Sequence, residues 1–174
     1  MPKLSDLFKG FAYKRLSTVE IKPSKSNQHE FNGVNEFVTL LGSEKRRFRC
    51  QWIYLGEDEF DTLSDEGKLT WYDAREKNEK RTEYRLYYSS NIVIESASEN
   101  DSLFVALKDD MEILMVVAKA GSMFENNLLW LFNFEENKGK FTFNILDKSQ
   151  GTRLSFAEKI ILEVLGVEAE SPKE

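Results

Sequence analysis

One cysteine and one histidine, Cys50 and His29, make up the whole thiol and imidazole chemistry of this chain. A lone cysteine forms no internal disulfide and suits a reducing cytoplasm. The two residues stand far apart in sequence, and Cys50 falls on the apolar face of a strand-like alternation. A small buried thiol is the expected role there, not a nucleophile. No HExxH, CxxC, P-loop or GxGxxG occurs, so zinc and nucleotide cofactors have no support. No apolar run approaches the ~18 residues of a membrane span. The first residues, MPKLSDLFKG, lack the apolar core of a secretory signal.

Nuclease chemistry is almost as thinly represented. Glu136-Asn137-Lys138 has the E-x-K spacing of many metal-dependent nucleases, in which an upstream Asp shares the metal with the Glu. No Pro-Asp precedes it at a useful spacing, and the segment reads equally as a solvated turn. The acidic clusters at 57–61 and 109–110 lack the regular spacing of calcium loops. No metal or other cofactor is expected for this chain.

What is present is a globular composition. The 174 residues are 41% hydrophobic and 13% aromatic, enough for one domain with a real core. That domain is expected over residues 1–167, with a charged tail at 168–174. Net charge is −6 but uneven: residues 1–88 hold 16 Lys/Arg against 15 Asp/Glu, and residues 89–174 hold 8 against 15. A surface for nucleic acid, if built, belongs to the first half. The acidic balance by itself suits a protein kept soluble by its charge.

Periodicity predicts a mainly β fold with short flanking helices, a barrel or a sandwich. A helix is expected over residues 4–11, a long polar loop or arm over 17–32, and a helix over 34–41 closed by Gly42. Residues 47–55 alternate as a strand, with Phe48, Cys50, Trp52 and Tyr54 on one face and Arg47, Arg49, Gln51 and Ile53 on the other. Residues 56–67 read as an acidic, turn-rich connection. Strands follow at 69–74, 82–88, 91–96, 102–107, 113–118 and 141–145, with a hairpin turn at 108–111. Ser122 and Ser155 each open a capping-box pattern, Ser-x-x-Glu, before a helix. Gly166 stops the second of these.

Three elements suit binding. The first is Lys14-Arg15 and the polar stretch beyond it, where Lys25 adds a positive charge. Asn27, Gln28 and His29 in that stretch can donate and accept hydrogen bonds. An ordinary surface loop explains the same residues. The second is Lys45-Arg46-Arg47 with Arg49, suited either to backbone phosphates or to a solvated strand face. The third is WYDAREKNEKRTEYRLYY at 71–88. Arg75, Lys77, Lys80 and Arg81 crowd its centre, and Arg81, Glu83 and Arg85 leave one strand face together. Two guanidiniums around a carboxylate suit guanine and cytosine edges, and equally suit cross-strand ion pairing on a wet sheet.

KRLS at 14–17, SNQHEFNGV at 26–34, TWYDARE at 70–76, RTEYRLYY at 81–88 and AGSMFENNLLWLF at 120–132 together resemble the N-terminal domain of EcoRII-type restriction endonucleases. The motifs run in the same order, and the resemblance spans residues from about 10 to 166. It implies a β-pseudobarrel like the plant B-three transcription-factor domain, gripping duplex DNA in the major groove with two arms. It also implies the effector half of a type IIE enzyme of bacterial or archaeal restriction-modification. Cleavage and any Mg²⁺ would belong to a separate C-terminal nuclease domain, which DNA binding here activates allosterically.

Carried over by residue, Lys14 and Arg15 start the N-terminal arm, and Asn27, Gln28 and His29 are its polar readers. Tyr72, Arg75, Arg81, Glu83 and Arg85 match the second arm without a gap. Where the family has a lysine between the Glu and the Arg, this chain has Tyr84, which the alternation turns inward. The implied partners are a short, C/G-rich duplex site bound by a monomer in one orientation, and the nuclease half of the same enzyme. A protein-binding β-barrel adaptor without DNA binding is the alternative.

Overall fold

The computed structural model describes residues 3–21, 30–31, 37–58, 61–75, 77, 82–108, 110–135, 141–147, 151 and 153–168. The chain opens with α1 (Leu4–Leu7), β1 (Phe8–Arg15), α2 (Thr18–Ile21), β2 (Glu30–Phe31) and α3 (Val38–Leu41). It continues with β3 (Arg46–Leu55), β4 (Thr62–Asp73), β5 (Tyr84–Tyr88), α4 (Ile92–Ser96), β6 (Ser102–Lys108) and β7 (Ile113–Ala118). It closes with α5 (Met123–Leu131), β8 (Thr142–Ile145) and α6 (Phe156–Val164). Among the described residues, eight strands form one sheet in the order β2-β5-β4-β3-β7-β6-β1-β8. Its pairs are antiparallel except β3 with β7, where Cys50 faces Ile113 and Leu55 faces Ala118.

Aromatic rings curl this sheet. Phe31 on β2 and Phe141, which leads into β8, belong to opposite edges, yet their rings meet edge-on at 6.2 Å. Phe37 bridges the same gap, touching Phe141 at 5.2 Å, Phe143 at 4.7 Å and Trp71 at 6.1 Å. Such pairs each contribute ~0.5–1.5 kcal/mol beyond the area they bury. The result is the mainly β pseudobarrel with short helices that the sequence leads one to expect.

Each face of the curled sheet has its own core. Phe48, Cys50, Trp52 and Tyr54 point inward with Leu69, Trp71, Leu86, Val105 and Met115. Outside, Ile53, Leu55, Phe104, Leu114 and Val116 pack against Leu128 and Leu131 of α5 and Leu162 of α6. Strands β6 and β7 therefore have a core on both sides, and Leu103 to Leu107 and Ile113 to Ala118 are unbroken apolar runs. Strand β3 changes character along its length. Ile53 and Leu55 lie under the helices, whereas Arg47 and Arg49 on the same side are exposed. The Arg46 end of β3, with the neighbouring parts of β4 and β5, is left facing water.

Several elements differ from the periodicity reading, each for a physical reason. The first helix stops at Leu7, and Phe8, Phe11 and Tyr13 enter the outer core from a strand. Gly10 lets β1 pass close to its neighbours, since a Cβ there would sit 2.7 Å from Leu40 Cδ2 and 3.1 Å from the Asn144 carbonyl. Residues 92–96 form a helix, not a strand, because the Asn91 side chain accepts from the Ile94 amide at 2.9 Å. The acidic connection is shorter than expected. Strand β4 begins at Thr62 opposite Leu55, and its register carries Asp65, Glu66 and Lys68 as strand residues. The polar stretch at 17–32 includes α2 and β2, and the third helix begins at Val38. The E-x-K segment at 136–138 lies outside the described residues.

A buried ion pair ties β1 to α5. Arg15 and Glu125 have side chains only 8% and 4% exposed and meet at 3.2 Å (Nη1 to Oε2) and 3.4 Å (Nη2 to Oε1). Arg15 also donates to the Asn100 carbonyl at 2.6 Å. Glu125 also accepts from the Ser102 hydroxyl at 2.7 Å and the Gly121 amide at 3.2 Å. Arg15, expected at the start of a DNA arm, is instead an internal strut. The Ser122 hydroxyl still caps α5 through the Glu125 amide, but the Glu125 carboxylate does not reach back to complete a capping box. Removing the Glu125 charge leaves the Arg15 guanidinium buried without its carboxylate. Glu125→Gln is expected to lower the unfolding free energy by ~3–5 kcal/mol in urea denaturation. A loss below ~1 kcal/mol would show that the pair is dispensable.

Candidate nucleic-acid interface

The uncovered part of the outer face is built from alternation and register. Arg47 stands opposite Thr70, Thr70 opposite Tyr87, and Tyr87 opposite Glu30, giving one row across four strands. Tyr72 and Arg85 form the next row toward the β4–β5 turn, and Arg49 and Lys68 lie on the other side. Residues directly opposite in a sheet share a face, so these side chains form one surface.

Below this surface the hairpin is anchored inward. Tyr84 stacks on Trp71 at 4.7 Å and donates to the Ser43 carbonyl at 2.9 Å, and Trp71 donates to the Gly42 carbonyl at 2.8 Å. Tyr84, Leu86 and Tyr88 are buried, as the alternation predicts. The base of the turn is clamped by Asp73, whose Oδ1 accepts from the Arg75 amide at 2.9 Å and the Glu83 amide at 2.8 Å. The Ala74 amide donates to the Glu83 carbonyl at 2.8 Å.

Charges alternate above the clamp. Glu83 Oε2 takes Arg75 Nε at 3.0 Å and Arg85 Nη2 at 3.5 Å. Arg85 Nη1 reaches Glu30 Oε2 at 3.1 Å, and the Tyr72 hydroxyl donates to Glu30 Oε1. The chain of contacts runs Arg75, Glu83, Arg85, Glu30, Tyr72, with two guanidiniums against two carboxylates. The hydrogen bond from Arg75, helped by the Arg85 charge, holds the Glu83 carboxyl below its ordinary value. Burial, then Glu30, raises Tyr72. Burial works against the Arg85 cation, but the bond and charge of Glu30 outweigh it and leave Arg85 raised. The charges of the cluster are paired with one another.

Beside it lies a basic patch of a different kind. Arg47 and Lys68 are exposed and make no ion pair among the described residues. Arg49 is 78% exposed, with only a 3.9 Å approach to Glu112. Arg49 and Lys68 are directly opposed like charges, an arrangement that costs free energy in a sheet. With Gln51, Glu66 and Glu112 they line an open cleft of about 380 Å³.

The residues nominated from the sequence divide accordingly. Tyr72, Arg75, Glu83 and Arg85 are brought together, with Arg47 and Arg49 on the same surface. Lys77 is exposed at the turn beyond Arg75. Lys14 is not exposed: it pairs with Glu20 at 2.7 Å, sits over the Phe141 ring at 5.2 Å and is only 12% exposed. Like Arg15, it faces the body of the protein and not an open surface. Lys25, Asn27, Gln28, His29, Lys80 and Arg81 lie outside the described residues. Cys50 is buried, and burial pushes its thiol pKa far up, so it stays protonated. No group of three or more metal-ligating side chains occurs among the described residues, and none of the helices described is long and apolar enough to cross a membrane.

Two members of the surface were missed by sequence reasoning. Lys68 fell between the supposed connection at 56–67 and the strand expected from 69, although its spacing from Thr70 and Tyr72 continues the strand alternation. Glu30 left no local signal, because its partners are 42 and 55 residues away.

No protein-family model matches the chain, and no curated protein matches it. Among solved structures it is similar to the B3 domain of the UbaLAI restriction endonuclease, crystallised with cognate DNA. Identity is 12%, the TM-score is 0.40, and the match covers 79% of this chain and 87% of that one.

The lowered Glu83 carboxyl sets a pH dependence. A carboxyl depressed in the folded state stabilises fully above the ordinary carboxylate range, and this is lost as pH falls through the folded value. The melting-temperature gap between wild type and Glu83→Gln is therefore expected near neutral pH, small because the pairs are exposed, and to close in acid. A gap that does not change with pH would mean that these ion pairs contribute nothing.

Proposed function

We propose that this chain is a sequence-reading, duplex-DNA-binding domain, the effector or recognition part of an EcoRII-like restriction endonuclease. The observation that carries the reading is a single uncovered sheet surface. On it, a self-paired Arg–Glu–Arg cluster adjoins exposed cations that lack close partners among the described residues. The two parts suit different tasks. Unpaired cations release counterions from phosphate and give affinity without sequence information. A positioned guanidinium and carboxylate match base edges, arginine to guanine O6 and N7 and glutamate to the cytosine amino group.

Arg47, Arg49, Lys68 and Lys77 would hold the backbone. Arg85 and Glu83, with Arg81 beside them in sequence, would meet bases in a major groove. Asn27, Gln28 and His29 would read further positions from a second arm. To engage a duplex, Glu83 and Arg85 exchange partners within the cluster for base edges, so the wrong sequence leaves charges unpaired and is rejected. The chain itself would not hydrolyse DNA. A nuclease domain of the same enzyme would cut, and DNA held here would favour its active state by linkage.

A second reading, a protein-binding adaptor, has support at the opposite side of the outer face. Trp130 on α5 and Phe156 on α6 are 60% and 79% exposed, an apolar display that a protein partner would cover.

Fluorescence anisotropy separates the two. Duplex affinity is expected to fall steeply with salt, and Arg47→Ala or Arg49→Ala to lessen the log–log slope by ~0.9 each. Failure to bind any duplex pool at low salt would sink the DNA reading. Arg81→Ala and Arg85→Ala are each expected to cost ~1–3 kcal/mol on a duplex selected from a random library, and to relax discrimination at one position. An equal loss on random duplex would make either one a phosphate contact instead.

A further inference from the structure

We infer that Glu30 is a specificity-determining positioning residue, which keeps Arg85 and Tyr72 off phosphate and held toward base edges. The inference rests on the duplex-binding reading. Glu30 lies on β2, the last strand at one side of the sheet among the described residues, and its side chain is only 10% exposed. Its two oxygens are divided between two partners: Oε2 takes Arg85 at 3.1 Å and Oε1 takes the Tyr72 hydroxyl. Tyr72 and Arg85 are themselves direct cross-strand neighbours, so one carboxylate links three strands, β2, β5 and β4.

Arg85 consequently has a carboxylate on each terminal nitrogen, Glu30 on Nη1 and Glu83 on Nη2. Its Nε is buried with no hydrogen-bond partner among the described residues. A guanidinium held from both sides does not swing to whichever phosphate passes. Neutralised locally, it adds little to the salt-dependent attraction that all duplexes share. It gains only from acceptors that fit where it is held, which is the condition for discrimination. Arg47 and Lys68 on the same surface have no such restraint, so attraction and reading rest on separate side chains.

The test is Glu30→Gln in the same chain, which keeps the shape and a hydrogen bond while removing the charge. Anisotropy is measured across a salt series on random duplex and on the duplex that wild type selects from a random library. Random duplex is expected to bind several-fold tighter, with a log–log slope steeper by about 0.9, as Arg85 becomes one more phosphate contact. The ratio of selected to random affinity is expected to fall roughly tenfold. An equal loss on both duplexes, or an unchanged ratio, would make Glu30 a merely structural residue and overturn the inference, leaving the DNA reading intact. Wild type that binds no duplex would overturn both. If Glu30→Gln does not fold, Tyr72→Phe decides. It removes one of the two groups that Glu30 holds and should lower the ratio without changing the slope, and an unchanged ratio there overturns the inference.

Discussion

The rings of Phe31, Phe37 and Phe141 meet between the two edges of the sheet, and the exposed charged surface depends on that meeting. Of strand β2, Glu30 and Phe31 are described, paired with Tyr87 and Leu86 of β5. Phe31 packs on Tyr88 at 4.9 Å and on Phe141 across the gap. Successive strand residues point to opposite faces, so planting Phe31 inside necessarily plants Glu30 outside. The carboxylate that orients Arg85 and Tyr72 is thus placed by an aromatic contact on the other side of the sheet.

The same curl decides which part of the outer face is free. Helices α5 and α6 bury Ile53 and Leu55 at one end of β3, and nothing described covers Arg47 and Arg49 at the other. Net charge says little about such a surface. The chain is acidic overall, but the acidic excess lies in its second half, and the first half carries the open end of β3 together with β4 and β5. What a polyanion would meet is a cluster whose charges already cancel, beside cations whose charges do not. The paired charges cancel each other at a distance, so the exposed cations beside them dominate any long-range attraction.

Much of this was legible in the sequence, for identifiable reasons. The alternation of Phe48, Cys50, Trp52 and Tyr54 against Arg47 and Arg49 gave β3 and its open side, because each face has one environment over that stretch. The inward turn of Tyr84, Leu86 and Tyr88 gave the orientation of Glu83 and Arg85 by subtraction. What escaped was set by tertiary contact. Ile92, Val93 and Ile94 are β-branched, and the segment reads as a strand until a single Asn91 cap turns residues 92–96 into a helix. Strand β1 was hidden because both its faces are buried, which erases the alternation. Glu30 was invisible because its role depends on strands paired from far along the chain.

The motifs that carry the family resemblance fall, in space, into two groups with different work. KRLS and AGSMFENNLLWLF meet in the interior through Arg15 and Glu125. Leu16 of the first is buried, and the Ser17 amide and hydroxyl both donate to Glu20 at 2.9 Å. That pair joins β1 to α5 and has no surface to offer a ligand. TWYDARE, RTEYRLYY and the Glu30 of SNQHEFNGV meet on the open face, through Tyr72, Arg75, Glu83 and Arg85. A string of basic residues near a recognised motif is therefore not by itself a binding element. Arg15 and Arg85 are both held by carboxylates, and burial separates them: one pair is sealed among α5 and two strands, while Arg85 is held by the buried Glu30 and also meets Glu83, an exposed partner that can be exchanged. Exchangeability, more than charge, is the property that marks a reading residue, because a side chain that cannot leave its internal partner cannot report on an external one.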